Sequence, residues 1–185
     1  WNLRGTATGS LAMSGRAMDS EMIFQLTVIE PRFHSIRAEK VSASGRYMDH
    51  RLFFEDLEGF TATGRYTGKG YIPAEFDLIA DDEDRFMETE PISISFHANT
   101  SSLDFLTPYF SDVDSIKGDF AIDLSIDGTP MNPVRNGKIR VENGVIYPLY
   151  LDSPISQVSG SAILMDNKLM IEKMTAASHL PANMD

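Results

Sequence analysis

Apolar and polar residues alternate through much of this chain, and this pattern constrains the fold more than any other feature. Residues 92–98 read ISISFHA and residues 119–127 read DFAIDLSID, and shorter runs of the same kind occur at 24–28 and 76–80. Successive side chains of a β-strand point to opposite faces, so each run has one apolar and one polar face. The sequence predicts an all-β chain whose sheet meets water on one side.

Glycine, asparagine, aspartate and proline residues separate or flank these runs. Asp127-Gly128, Asn136-Gly137 and Asn143-Gly144 are pairs that favour tight turns between strands. We therefore expect about a dozen strands with short connections in a mostly antiparallel, meandering sheet.

One stretch departs from the alternation. Leu103, Leu106 and Phe110 follow one another at near-helical spacing, and Pro108 limits the stretch to one or two turns. We predict one short helix here, covering an edge or an end of the sheet.

Composition excludes several functions. The net charge is -11, from 16 basic and 27 acidic residues, which argues against nucleic-acid binding. The chain contains no cysteine, so disulfides and thiolate metal sites are excluded. No apolar run approaches the roughly 20 residues that a membrane-spanning helix needs. Because no nucleophile or phosphate-loop motif occurs either, we expect no enzymatic activity and no cofactor.

The candidate metal ligands are scattered along the sequence or lie in stretches that we expect to face solvent. The histidines, His34, His50, His97 and His179, lie in separate segments without ligand spacing. The acidic run at 81–84 lacks the alternating ligands of a calcium loop and indicates a solvated loop. Asp119, Asp123 and Asp127 share one face of a strand. A face that meets solvent explains this pattern better than a cation site does. We expect no metal.

The C-terminal half contains a more specific pattern. Residues 118–129 read GDFAIDLSIDGT, residues 133–146 read PVRNGKIRVENGVI, and ISQVSG at 155–160 leads into LMI at 169–171. This order of strand and turn residues resembles the TamB branch of the AsmA-like proteins. The resemblance covers residues 99–185 well, whereas residues 1–98 share only the glycine-punctuated strand rhythm. We expect residues 1–185 to be one β-rich segment of a longer repetitive protein.

The resemblance implies both a fold and a function. TamB-like proteins are periplasmic, anchored in the inner membrane, and their sheet curls into a taco-like or solenoid-like groove with an apolar interior. It implies phospholipid transport between the inner and outer membranes, with acyl chains as the ligand. Through the full-length protein it also implies pairing with a TamA-like outer-membrane barrel. The alternative is a scaffold or chaperone for outer-membrane protein translocation and assembly.

The alternation of apolar and polar residues also favours an apolar inner surface as the functional one. A one-sided sheet must cover its apolar face, and one short helix cannot do so, which leaves either a sandwich with a closed core or a curled sheet open to acyl chains. A carbohydrate-binding solenoid is a third hypothesis, opposed by the presence of a single tryptophan, Trp1. The predicted groove residues are Ile92, Ile94, Phe96, Phe120, Ile122, Leu124, Ile126, Ile139 and Val141.

Overall fold

The computed structural model describes residues 3–16, 19–33, 36–75, 87–104, 107 and 111–178. Within these ranges the chain forms eleven β-strands. They are β1 (Leu3–Arg16), β2 (Asp19–Phe33), β3 (Ile36–Arg37), β4 (Lys40–Met48), β5 (Arg51–Thr61), β6 (Gly64–Pro73), β7 (Ile92–Ser102), β8 (Val113–Gly128), β9 (Pro133–Pro148), β10 (Ile155–Met165) and β11 (Lys168–Ser178).

All eleven strands belong to one sheet. Its order is β1-β2-β4-β5-β6-β7-β8-β9-β10-β11, with the short β3 paired to β2, and every pairing is antiparallel. Neighbours in sequence are thus neighbours in space, the simplest way to connect antiparallel strands. The predicted all-β antiparallel meander is confirmed.

The predicted helix falls mostly on Leu106, Pro108 and Phe110, which lie outside the described residues. Leu103 is described and belongs to neither a helix nor a strand. A few residues further on, Thr107 Oγ1 donates a hydrogen bond to the Asp104 carbonyl oxygen at 2.8 Å.

Two of the three predicted turns are wrong. Asp127-Gly128 does end β8, and Gly128 has a φ of 91°. Asn136-Gly137 and Asn143-Gly144 instead lie inside β9, where alternation on both sides keeps the strand extended. Asn143 uses its tolerance of positive φ, at 53°, in a bulge rather than a turn.

A row of bulges crosses three neighbouring strands. Strand β8 carries one extra residue relative to β7 at 118–119, β9 carries one relative to β8 at 143–144, and β10 carries one relative to both β9 and β11 at or next to Gln157. Asn143 Nδ2 donates to Asp119 Oδ2 at 2.9 Å across this row. Bulges bend a strand and increase its local twist, so an aligned row bends the sheet as a whole.

The core is thin because the fold is one layer. Among the described residues few hydrophobic side chains are buried, namely Tyr47, Pro73, Ala74, Ile92, Ala98, Phe120 and Val158. Towards the two ends of the sheet the side chains are open to solvent, with Leu11 and Ile171 each 61% exposed. Since all described strands lie in one sheet, these strands do not form a two-sheet sandwich.

Candidate functional site

The strand register brings the nine predicted groove residues together on one face. Ile94 lies opposite Ile126 and Phe96 lies opposite Leu124. On the other side of β8, Phe120 lies opposite Val141 and Ile122 lies opposite Ile139. Directly opposed residues of an antiparallel pair project from the same face, and alternation places Ile92 there as well. We call this surface the apolar face.

The apolar face is wider than the sequence analysis predicted. From β7 it continues through Tyr66 of β6 and Leu57 of β5 towards β4, and from β9 through Ala162 of β10 to Ile171 of β11. The alternation of apolar and polar residues does not reveal β5, because Glu55 and Asp56 form a bulge there. This bulge breaks the two-residue period and places Phe54 and Leu57, three residues apart, on the same face. The aliphatic and aromatic residues at 52–60 are the feature of the sequence from which this strand could have been predicted.

The apolar face contains a concavity of about 470 Å³. Its walls include Val41, Leu57, Tyr66 and Phe96, from four successive strands. The volume falls within the range of about 300–1,000 Å³ that is typical of small-molecule sites. The concavity could hold an apolar ligand of modest size, and Phe96 is the predicted groove residue that borders it.

Polar groups mark one end of this concavity, which Ser102 and Asp104 also line. Asp104 Oδ1 accepts hydrogen bonds from Ser115 Oγ at 2.8 Å and from the Ile116 backbone N–H at 2.9 Å. Burial alone would raise the pKa of Asp104, but the hydrogen bonds from Ile116, Ser115 and Ser102, together with the Lys117 charge, lower it. This end therefore carries a fixed negative charge beside an otherwise apolar wall.

The opposite face carries cross-strand polar pairs. His97 Nδ1 lies 2.6 Å from Asp123 Oδ1, and Asn99 Nδ2 lies 2.9 Å from His97 Nε2. Since an amide nitrogen can only donate, this arrangement leaves the Nδ1 proton for Asp123. Ser93 Oγ donates to Asp127 at 2.9 Å. Each carboxylate of the predicted aspartate column thus has a partner within the protein: Asp123 and Asp127 here, and Asp119 through Asn143.

The described residues contain no group of three or more side chains placed to hold a metal ion. His50 contacts the Glu75 carboxylate at 3.0 Å. The other two histidines, His34 and His179, and the acidic run at 81–84 lie outside the described residues. Within the described part of the chain, no helix is long and apolar enough to cross a membrane.

The fold and its two unlike faces define a class, namely a single-layer antiparallel β-sheet protein with one continuous apolar surface. Comparison with protein-family models, with curated proteins and with solved structures gives no match. The TamB/AsmA-like family therefore stays a resemblance of sequence pattern.

Proposed function

We propose that the chain is a non-enzymatic, periplasmic segment of a TamB/AsmA-like envelope protein, and that its apolar face receives the acyl chains of phospholipids moving between the inner and outer membranes. The observation that carries this proposal is the continuity of the apolar face from β1 to β11 within one sheet. A face of this width, uncovered by a second layer of described strands, calls for an apolar partner.

Acyl chains fit this surface on energetic grounds. Removing one CH₂ group from water gains about 0.8 kcal/mol, so several methylenes in contact with the face suffice for binding without polar recognition. The two ends of the face add flexible thioethers, since Met13 of β1 is 47% exposed and Met174 of β11 is 57% exposed. Methionine adapts to irregular apolar partners, which suits a chain that moves along the surface.

A second candidate is a scaffold for outer-membrane protein translocation and assembly. The observation that favours it is that β1 and β11 end the sheet, so each leaves one edge of its backbone unpaired within the described structure. Such an edge can accept an incoming strand by backbone hydrogen bonds. A TamA-like barrel would then be a partner of the full-length protein.

The deciding experiment introduces a charge on the apolar face. Leu124 is half-buried and projects from this face, whereas its neighbour Ser125 projects from the polar face. Leu124→Asp should leave the fold largely intact, because a carboxylate on an open face still reaches water. It should also abolish crosslinking of an acyl-labelled phospholipid, because the acyl chain of the lipid would then meet a hydrated carboxylate on the face.

Ser125→Asp is the matched control, since it adds the same charge one residue away and should leave crosslinking unchanged. Folding is followed by circular dichroism on the 185-residue chain, and crosslinking in cells that express the protein carrying this segment. A folded Leu124→Asp variant that crosslinks like the unsubstituted protein refutes the lipid path. Wholesale unfolding of that variant would indicate a sealed core and move the scaffold candidate ahead.

A further inference from the structure

A run of exposed apolar side chains lies in the loop between β9 and β10. Leu149, Tyr150 and Leu151 are consecutive, and they are 55%, 79% and 59% exposed. Connecting segments run over the surface and are normally polar, so three consecutive exposed apolar residues are out of place unless they serve a function. We call these three residues the apolar loop.

The base of the apolar loop is tied to the sheet. Pro148 ends β9 and Pro154 comes directly before β10, and the ring of each proline restricts its own φ. The Leu149 backbone N–H donates to the Asp112 carbonyl oxygen at 3.0 Å, which joins the loop to the residues before β8. The backbone of the loop is therefore held at its base, while its side chains are open to solvent.

The apolar loop lies at the same end of the sheet as the concavity on the apolar face. Antiparallel pairing places the end of β9 beside the start of β8, which lies at the same end as the end of β7 and the start of β6. Ser102 at the end of β7 and Thr63 just before β6 both line the concavity. One end of the sheet thus presents the apolar loop and the concavity together.

Carboxylates outnumber cations around the apolar loop. Asp152 follows it directly, and Asp112 and Asp114 flank Val113, which pairs with Pro148. The cation of this region is Lys117, whose ammonium lies 5.7 Å from the Tyr147 ring centroid. Because the whole chain also has a net charge of -11, an anionic lipid surface would repel it. The loop therefore suits a partner without net negative charge.

We propose that the apolar loop inserts into the interface of a zwitterionic lipid bilayer. Three side chains are far fewer than the roughly 20–30 residues that each partner of a stable protein interface contributes, whereas a fluid lipid interface adapts to a small protrusion. The two leucines gain from leaving water, and tyrosine favours the level of the headgroups, where its ring is in apolar and its hydroxyl in wet surroundings. Insertion concerns the bilayer surface and does not require that acyl chains travel along the apolar face.

Cosedimentation of the 185-residue chain with phosphatidylcholine vesicles measures its partition coefficient. Leu149→Ser combined with Leu151→Ser should lower this coefficient at least tenfold, since about two or more CH₂ groups then no longer leave water. Met131→Ser is the matched control, because Met131 is also 59% exposed but lies between β8 and β9, at the opposite end of the sheet. Circular dichroism verifies the fold of each variant.

The lipid charge provides a second comparison. Vesicles that contain phosphatidylglycerol should bind the chain more weakly than pure phosphatidylcholine vesicles at low ionic strength, because the acidic chain is repelled. Added NaCl should remove this difference by screening the charges.

A third measurement locates the inserted residues. Because the chain contains no cysteine, Tyr150→Cys and Met131→Cys can each carry a single nitroxide label. On phosphatidylcholine vesicles the label at position 150 should become less accessible to a water-soluble nickel complex and more accessible to oxygen. The label at position 131 should keep its aqueous accessibility.

Four results would overturn the proposal: no partition into phosphatidylcholine vesicles, an equal effect of the leucine and methionine variants, a label at position 150 that stays in water on the bound chain, or stronger binding to phosphatidylglycerol. An unchanged partition of the leucine variant would indicate that the apolar face adsorbs to the bilayer in place of the loop. Leu124→Asp tests the apolar face without altering the apolar loop, so failure of the lipid path and failure of insertion are distinguishable.

Discussion

The imidazole Nδ1 of His97 lies 2.6 Å from the Asp123 carboxylate on the polar face. Their neighbours in sequence, Phe96 before His97 and Leu124 after Asp123, oppose each other on the apolar face. The same pair of strands thus carries a polar contact on one side and a hydrophobic contact on the other. This division allows the two faces to be tested separately.

Loss of the contact between His97 and Asp123 should cost little stability. The two side chains are 47% and 69% exposed, and an exposed hydrogen bond contributes about 1 kcal/mol or less. Asp123→Ala should therefore change the free energy of unfolding by less than about 1 kcal/mol in a denaturant titration. Phe120→Ala provides the contrast, because Phe120 is only 7% exposed and its truncation should cost about 3 kcal/mol. Equal losses in the two variants would contradict the division between the faces.

Gly45 should tolerate no side chain. A Cβ atom there would overlap the carbonyl oxygen of Phe53 on the neighbouring strand and crowd the Phe24 ring. Gly45→Ala should lower the free energy of unfolding by about 2 kcal/mol or more, since backbone must move to make room. Gly59→Ala is the control, because its nearest neighbours would be 3.7 Å away, and it should be neutral or stabilising by about 0.5 kcal/mol. Thermal melts followed by circular dichroism would measure both, and a neutral Gly45→Ala would contradict the close approach of β4 and β5.

Asp104 should contribute stability that depends on pH. Its pKa lies below the ordinary value of 3.8, so its carboxylate stabilises the fold above about pH 4, and this contribution is lost as pH falls through the folded pKa. Asp104→Asn should destabilise the chain by roughly 1 kcal/mol at neutral pH, because the amide oxygen still accepts from Ser115 and Ile116 but the charge that strengthens both hydrogen bonds is gone. The difference from the unsubstituted chain should shrink below about pH 4 in urea titrations. The exposed Asp114→Asn is the control at neutral pH, and a difference for Asp104→Asn that grows on acidification would reject this account.

The β11 edge should promote self-association. Leu169 and Ile171 project from the apolar face and are 59% and 61% exposed on a strand with one unpaired edge. A long apolar edge of this kind pairs readily with another strand. Ile171→Lys should lower the apparent mass at high concentration in sedimentation equilibrium, because lysine on an edge strand opposes further pairing. Ala176→Lys adds the same charge without removing a large apolar side chain, so an equal effect from both would indicate that net charge alone governs association.

The sequence by itself determined the fold class and the composition of the two faces. Alternation with a period of two is a local property of the backbone, so residues 92–98 and 119–127 had to form strands with one apolar side. Their antiparallel register then places Ile94, Phe96, Leu124 and Ile126 on one surface. The aspartate column at 119, 123 and 127 shares the opposite face for the same reason.

Only the tertiary structure decided where the alternation changes phase and which distant residues meet. Glu55 and Asp56 bulge because β5 must pair with β4 and β6 at once, and this bulge carries Leu57 onto the apolar face. Asn143 lies in a bulge rather than a turn because β9 stays paired on both sides, with one more residue there than β8 and β10 have opposite it. Phe53 and Tyr71 meet only because of the β5–β6 register. Strand register depends on partners far away in sequence, so these features arise from cross-strand pairing and not from local residue preference.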